Sequence, residues 1–186
     1  HSDATSRMLR TRNYHFLIGL LSVLFLLHSS VFESHMLTDA SSVVTEINRN
    51  IAATLKACGP AILAQSDMLK ESITAVTTMI TRAHPCQQDL GDEEEEQTVE
   101  GTSEYDWLVI DTALDVIIGL AVALGPGFSE LWKIFEKPLL KFASSESENI
   151  ERSTAVGVIA ESTANMKAAV TPYTEKLLKI LLKRLS

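Results

Sequence analysis

The residues with the most obvious capacity for chemistry are acids gathered between Asp89 and Asp106. This stretch holds no Lys or Arg and nine carboxylates, which are Asp89, Asp92, Glu93, Glu94, Glu95, Glu96, Glu100, Glu104 and Asp106. The rest of the chain is nearly neutral, so the formal charge of −8 belongs to this stretch. Glu93 to Glu96 lack the Asp, Asn and Gly spacing of a calcium loop. The charge therefore indicates either contact with a cationic partner or a solvated loop, and both interpretations stay open.

Other side chains with catalytic or metal-binding potential form no recognisable motif. The chain contains no HExxH, GxSxG, GxxxxGK[ST] or GxGxxG pattern. His84 stands beside Pro85 and has no nucleophile or carboxylate in a suitable context, so it is expected to be a loop residue. Cys58 and Cys86 lack metal-ligand spacing and are expected to be free thiols. The sequence thus predicts a protein that is not an enzyme and holds neither a cofactor nor a metal.

Residues 1–36 differ from the rest of the chain. Arg10 and Arg12 precede an apolar run from Phe16 to Leu27, and small residues follow it, which is the layout of a secretory signal peptide. The run is short for a membrane span of about 20 residues. Three interpretations stay open: a signal or anchor, another apolar helix, or a fusion or gene-model artefact. We favour the artefact because Ser34-His35-Met36 resembles a cloning scar, and we infer function from residues 37–186.

Residues 37–186 are patterned as helices separated by breaks. Good helix formers fill segments in which apolar residues recur at helical spacing. Gly59-Pro60 and Gly125-Pro126-Gly127 are expected to end helices, since Gly takes a left-handed cap and Pro cannot continue a helix. The acidic stretch is expected to be a mobile loop at about 86–103. The predicted helices span about 38–57, 61–82, 103–124, 128–143, 145–169 and 172–186.

Capping signals determine three of these predicted helix starts. Ser103-x-x-Asp106 and Ser145-x-x-Glu148 are capping boxes. Thr171 as N-cap and Pro172 at the first helical position are a favoured pairing.

The third and fourth predicted helices carry further structural expectations. The third is apolar nearly all round, and its acids Asp111 and Asp115 favour burial between protein helices over burial in lipid. Pro138 is expected to kink or divide the fourth helix. The apolar stripe of the fourth helix is predicted to consist of Leu131, Ile134, Phe135, Leu139 and Phe142.

An internal repeat relates these helices. Two separate segments match at an offset of 42 residues, and the Gly-Pro breaks at Gly59 and Gly125 match at 66, about 42 plus the acidic insertion. Two-helix units of 40–47 residues are the HEAT and armadillo period, although Leu- and Ala-rich helices also resemble each other by chance. The sequence therefore predicts an all-α HEAT-repeat α-solenoid with about three antiparallel helix pairs, at about 38–83, 104–144 and 147–186, which we call the three units. The matched segments are Thr112–Ile117 with Thr154–Ile159 and Leu139–Ser144 with Leu181–Ser186.

The segments Glu104–Ala113 and Arg152–Glu161 resemble the importin-β (karyopherin) superfamily, in the fungal form of the branch that imports histones and ribosomal proteins. The resemblance covers residues 38–186 and implies an internal to C-terminal portion of a longer HEAT superhelix. It implies a receptor that binds basic nuclear localisation signals and moves between cytoplasm and nucleus. In the full-length protein it implies contact with nucleoporins and release of cargo to Ran-GTP. Basic residues are too few and scattered to predict direct nucleic-acid binding, and no membrane partner is predicted.

The candidate cargo-binding residues fall into two groups. One is the acidic run from Asp92 to Glu96. The resemblance places the second helix of each pair on the concave face, which adds Glu130, Trp132 and Glu136. A Trp flanked by acids suits the aliphatic stem and charged head of Lys or Arg, whereas packing of Trp132 between repeats is the competing interpretation. The alternative function is a HEAT-repeat scaffold for protein assembly with no transport role.

Overall fold

The computed structural model describes residues 37–64, 66–87, 99–144 and 147–185. The predictions for residues 1–36 and for Asp92 to Glu96 lie outside the described residues. Every regular element within the described ranges is helical, which confirms the all-α fold class. The described residues form six α-helices, which are α1 (Leu37–Cys58), α2 (Ser66–Ile80), α3 (Val99–Leu124), α4 (Ser129–Phe142), α5 (Asn149–Met166) and α6 (Thr174–Leu185).

The predicted Gly-Pro breaks mark helix ends. Gly59 and Gly125 both have a φ of 54° and directly follow α1 and α3. Glycine adopts this left-handed conformation without a steric penalty, so its position determines where each helix stops. Lys167, which lies 42 residues beyond Gly125, has a φ of 52° at the end of α5. A positive φ just after a helix thus recurs at the offset found in the sequence.

Two predicted capping boxes are wrong. Helix α3 already begins at Val99, so Ser103 lies inside the helix and the predicted loop ends sooner than 103. At the start of α5, Glu148 is the N-cap, and it forms a reciprocal capping box with Glu151. Ser145 lies outside the described residues. At the start of α5 the acid Glu148 takes the cap position in place of Ser145, and carboxylates interact favourably with the helix dipole there.

The predicted start of the last helix is also wrong. Thr171 and Pro172 lie in a 3₁₀ segment, Lys167–Tyr173, and α6 begins only at Thr174. The Thr171 hydroxyl donates backwards to the carbonyl of Ala168 at 2.7 Å and caps no later helix. A local pairing of Thr and Pro therefore did not locate the helix start.

Helix α3 is the centre of the fold. It packs against α1 on one side and against α5 on the other, and Ala113, Leu114 and Leu120 are fully buried. By length and composition Asp106–Phe142 could cross a membrane, but most of its most apolar window is buried inside the protein. The expectation of burial between protein helices is therefore confirmed.

The α1–α3 contact is close because of one residue. A Cβ added at Gly119 would lie 3.0 Å from the carbonyl oxygen of Ala52 and 3.2 Å from the Cβ of Leu55. Nearby, the buried Asn48 amide donates to the hydroxyl of Thr112 at 3.2 Å, joining the same two helices. The stacking of the first unit on the second thus relies on a glycine and a buried polar contact.

Helices α3 and α4 form an antiparallel pair. The four-residue segment Gly125–Phe128 connects them. Trp107, early in α3, contacts Phe142, at the end of α4, with ring centroids 6.0 Å apart. Helix α4 continues through Pro138 without interruption, so the expected division is wrong. Leu139 and Phe142 are buried beyond the proline and hold that part of the helix against the core.

Candidate partner-binding surface

Trp132 is buried between two repeat units. Its side chain is fully inaccessible, and its ring packs edge-on against Tyr173 with centroids 6.3 Å apart. The Tyr173 hydroxyl donates to the carbonyl of Ser129 at 3.3 Å, which holds the 3₁₀ segment before α6 against α4. The prediction that Trp132 offers a surface to cargo is therefore wrong, and the packing interpretation is correct. The physical reason is that its large apolar ring fills the space between α4 and the 3₁₀ segment before α6.

Burial of Trp132 follows from a displaced apolar stripe. The buried residues of this segment are Phe128, Trp132, Phe135, Leu139 and Phe142. Their alternating spacing of four and three residues is that of one helix face, and it was present in the sequence as a signal. Ile134, assigned to the core from the sequence, is instead 44% exposed. Starting the periodic count at Phe128 would have predicted the burial of Trp132.

Glu136 pairs with α6. Its Oε2 lies 2.8 Å from the Nζ of Lys176, and its side chain is only 16% exposed. The other carboxylate oxygen, Oε1, is buried with no hydrogen-bond partner among the described residues. This carboxylate thus joins two helices instead of presenting free charge to a ligand.

Glu130 remains on the surface. Its side chain is 75% exposed, and its Oε2 accepts a hydrogen bond from Lys133 at 2.8 Å. This hydrogen bond raises the pKa of Lys133. Exposed pairs of this kind are weak and exchange readily with solvent. Of the three α4 candidates, Glu130 alone remains accessible, and its contact with cargo stays a prediction.

The segments on either side of the acidic run are tied together. The Gln87 amide donates to Asp106 Oδ1 at 2.7 Å, and Arg82 Nη1 lies 3.0 Å from Asp106 Oδ2. Arg82 also contacts Glu151 at 3.0 Å, in the first turn of α5. One arginine thus links the end of α2 to both α3 and α5. Sequence reasoning missed this network because its members are far apart along the chain.

His84 and Cys86 form a neutral pair beside this network. His84 Nδ1 lies 2.9 Å from Cys86 Sγ. Burial lowers the pKa of His84 and raises the pKa of the Cys86 thiol to about 11. Such a thiol is protonated near neutral pH, whereas a reactive cysteine needs a lowered pKa. Cys86 and the buried Cys58 are both free thiols, as predicted. Within the described ranges no three His, Cys, Asp or Glu residues cluster to hold a metal.

A family profile and two similar proteins all point to the same family. A family profile described as importin subunit beta-1-like, TPR repeats, matches residues 35–186. The chain is similar to the "Probable importin subunit beta-4" of Schizosaccharomyces pombe, with 37% identity over 83 residues, which are 45% of this chain and 8% of that protein. It is also similar to Importin-4 of Homo sapiens, with 30% identity over 142 residues, which are 75% of this chain and 13% of that protein. The chain therefore matches about a tenth of the length of these relatives.

Proposed function

Because the chain belongs to the importin-β superfamily, we propose that it forms part of a nuclear import receptor and that its acidic stretch receives basic localisation signals of cargo such as histones and ribosomal proteins. One observation carries the proposal: importin-like repeats run through residues 35–186 and contain nine acids without a single base between Asp89 and Asp106. A local field of this sign concentrates cationic partners and speeds their encounter.

The structure narrows which acids remain for a partner. Asp106 contacts both Arg82 and Gln87, so its charge is already compensated. Trp132 is buried and Glu136 is paired with Lys176. The proposal for basic cargo therefore depends on Asp92 to Glu96, with Glu130 as the accessible residue on α4.

The test compares two sets of neutralised acids. In the first variant, Asp92→Asn is combined with Gln at each position from Glu93 to Glu96. The chain is titrated with a fluorescent Lys-rich peptide at low salt. We expect the affinity to fall about tenfold or more, because surface charge pairs of a few tenths of a kcal/mol each accumulate and are strongest at low ionic strength.

A matched control keeps the net charge of that variant. It neutralises five exposed acids elsewhere, so any long-range effect of total charge is equal in both. The controls are Asp67→Asn, Glu71→Gln, Asp115→Asn, Glu161→Gln and Glu175→Gln. Equal losses in the two variants, or no loss in either, would refute a specific role for the acidic stretch.

Release of cargo to Ran-GTP and contact with nucleoporins belong to the same proposal for the full-length protein. Shuttling between cytoplasm and nucleus follows from them. The competing proposal is a helical-repeat scaffold without a transport role, which the open surfaces of a solenoid also permit. Adding Ran-GTP to a complex of the full-length protein and a basic cargo separates the two. Release supports the receptor, and a complex that persists supports the scaffold.

A further inference from the structure

Arg82 follows α2 in a backbone conformation that usually belongs to glycine. Its N–H donates to the carbonyl of Met79 at 3.0 Å, and the N–H of Ala83 donates to the carbonyl of Thr78 at 2.8 Å. These two bonds form a Schellman motif, in which the residue at the place of Arg82 is left-handed and most often Gly. Arg82 accordingly has a φ of 57°, whereas the positive-φ residues directly after α1 and α3 are glycines. Position 82 therefore carries a long side chain where the backbone alone favours none.

The guanidinium of Arg82 bridges two carboxylates on different helices. Nη1 lies 3.0 Å from Asp106 Oδ2 on α3, and Nη2 lies 3.0 Å from Glu151 Oε1 on α5. The other oxygen of each carboxylate accepts a second hydrogen bond, from the Gln87 amide at 2.7 Å and from the Glu148 N–H at 3.3 Å. The two carboxylates are only 18% and 16% exposed. A planar guanidinium can hold two acceptors in this way, whereas a lysine ammonium acts as a single point of charge.

These contacts connect all three units of the solenoid. Arg82 belongs to the first unit, Asp106 to the second and Glu151 to the third. Repeats of a solenoid characteristically contact only their neighbours, so a contact between the first and third units is unexpected. It forms because α3 packs beside α5, and the residue after α2 reaches acids on both helices. Arg82 thus ties the first unit to the third across the second.

We propose that Arg82 is a strap between units. By holding Asp106 and Glu151 at once, it couples the end of α2 to the start of α5, so that these two helix ends open and close together. The placement of successive units determines the curvature of a solenoid surface. The Arg82 side chain is 50% exposed, so salt screens its charge and loosens the strap. The strap is therefore a salt-sensitive restraint on the relative positions of the three units.

Amide hydrogen exchange, followed residue by residue by NMR, tests this coupling. One reporter is the amide of Ala83 in the first unit, and the other is the amide of Arg152, which closes the first turn of α5 in the third unit. The strap variants are Arg82→Gln and Glu151→Gln, which leave both reporters unsubstituted. Gln at position 151 can still complete the capping box of α5, so this variant removes the charge and keeps the cap.

Each strap variant should act on the reporter in the other unit. We expect Arg82→Gln to speed exchange at Arg152 about threefold or more, and Glu151→Gln to do the same at Ala83, because each frees the opposite helix end to open. The two effects should be similar in size, since a coupling free energy is reciprocal. The double variant should exchange within about twofold of the single variants, because the second substitution has no strap left to break. Raising the ionic strength from about 0.05 M to about 0.5 M should speed exchange in the unmodified chain and change the double variant little.

Matched controls remove a charge from the same two helices outside the strap. They are Lys70→Gln, whose ion pair with Asp67 stays within α2, and Glu161→Gln, an exposed acid on α5. Both should leave the reporter in the other unit within about twofold, since an exposed charge contributes little. The proposal is overturned if each strap substitution changes exchange only in its own unit, or if the controls affect the distant reporter equally. The measurement involves no basic cargo, so its outcome is independent of the cargo test.

Discussion

Helices α3 and α5 share one sequence pattern at an offset of 42 residues but have different surroundings. Ala113 and its counterpart Ala155 are both fully buried, so this repeated position faces the protein interior in both helices. Helix α3 lies between α1 and α5, whereas part of α5 faces open space among the described residues. Val156 is 37% exposed, and a Cβ at Gly157 would meet nothing within 4 Å. The repeat thus specifies one stripe of each helix, and the neighbouring helices determine what the other positions tolerate.

The largest expected difference is between Leu120 in α3 and its counterpart Ser162 in α5, which are both fully buried. Leu120→Ala should lower the free energy of unfolding by about 2–5 kcal/mol, because it removes apolar contacts and leaves a cavity. The Ser162 hydroxyl has no hydrogen-bond partner among the described residues. Ser162→Ala should therefore be neutral or raise stability by up to about 1 kcal/mol. Urea unfolding followed by circular dichroism measures the free energy of unfolding of both variants. Similar losses of stability would show that the surroundings of Leu120 and Ser162 are packed alike.

A smaller difference is expected between the mid-helix glycines. Gly119→Ala should lower the free energy of unfolding by about 1–3 kcal/mol, since its methyl group would press on the backbone of Ala52. Gly157→Ala should raise it by about 0.5–1 kcal/mol, because alanine favours helix and the site is open.

Thermal unfolding of both variants checks this comparison. The counterpart of Gly119 is Glu161, an exposed residue, so the close approach is specific to the α1–α3 contact. A neutral result for Gly119→Ala would mean that α1 and α3 are further apart than the 3.0 Å approach indicates.

The contrast between the surroundings of α3 and α5 also explains which features could be predicted from the sequence. Helical periodicity and the 42-residue offset reflect the burial of equivalent positions in α3 and α5. The fold class and the break at Gly125 could therefore be predicted. Helix starts at Ser103 and Thr171 were wrong, because several nearby residues can satisfy the same backbone groups and packing selects among them. Ion pairs such as Lys176 with Glu136, 40 residues apart, arise from the stacking of units. No local spacing encodes such contacts, so the sequence pointed to acids on α4 but not to the lysines that neutralise them.

The smallest expected effect concerns the turns that end the two helices. Gly125 follows α3 with a φ of 54°, and its counterpart Lys167 follows α5 with φ and ψ of 52° and −128°. A side chain in the positive-φ region costs about 1–2 kcal/mol. Lys167→Gly should recover most of this, less the extra backbone entropy that glycine loses on folding, for a net gain of about 0.5–1 kcal/mol. Gly125→Ala should lower stability by a similar amount.

The control for this comparison is Lys167→Ala, which removes the charge of the side chain but keeps its Cβ. If backbone conformation determines the effect, Lys167→Ala should unfold like the unmodified chain while Lys167→Gly unfolds at higher urea concentration. Equal gains from both substitutions would attribute the effect to the lysine charge. The two turns would then differ in electrostatics, and the positive φ of Lys167 would carry no energetic penalty.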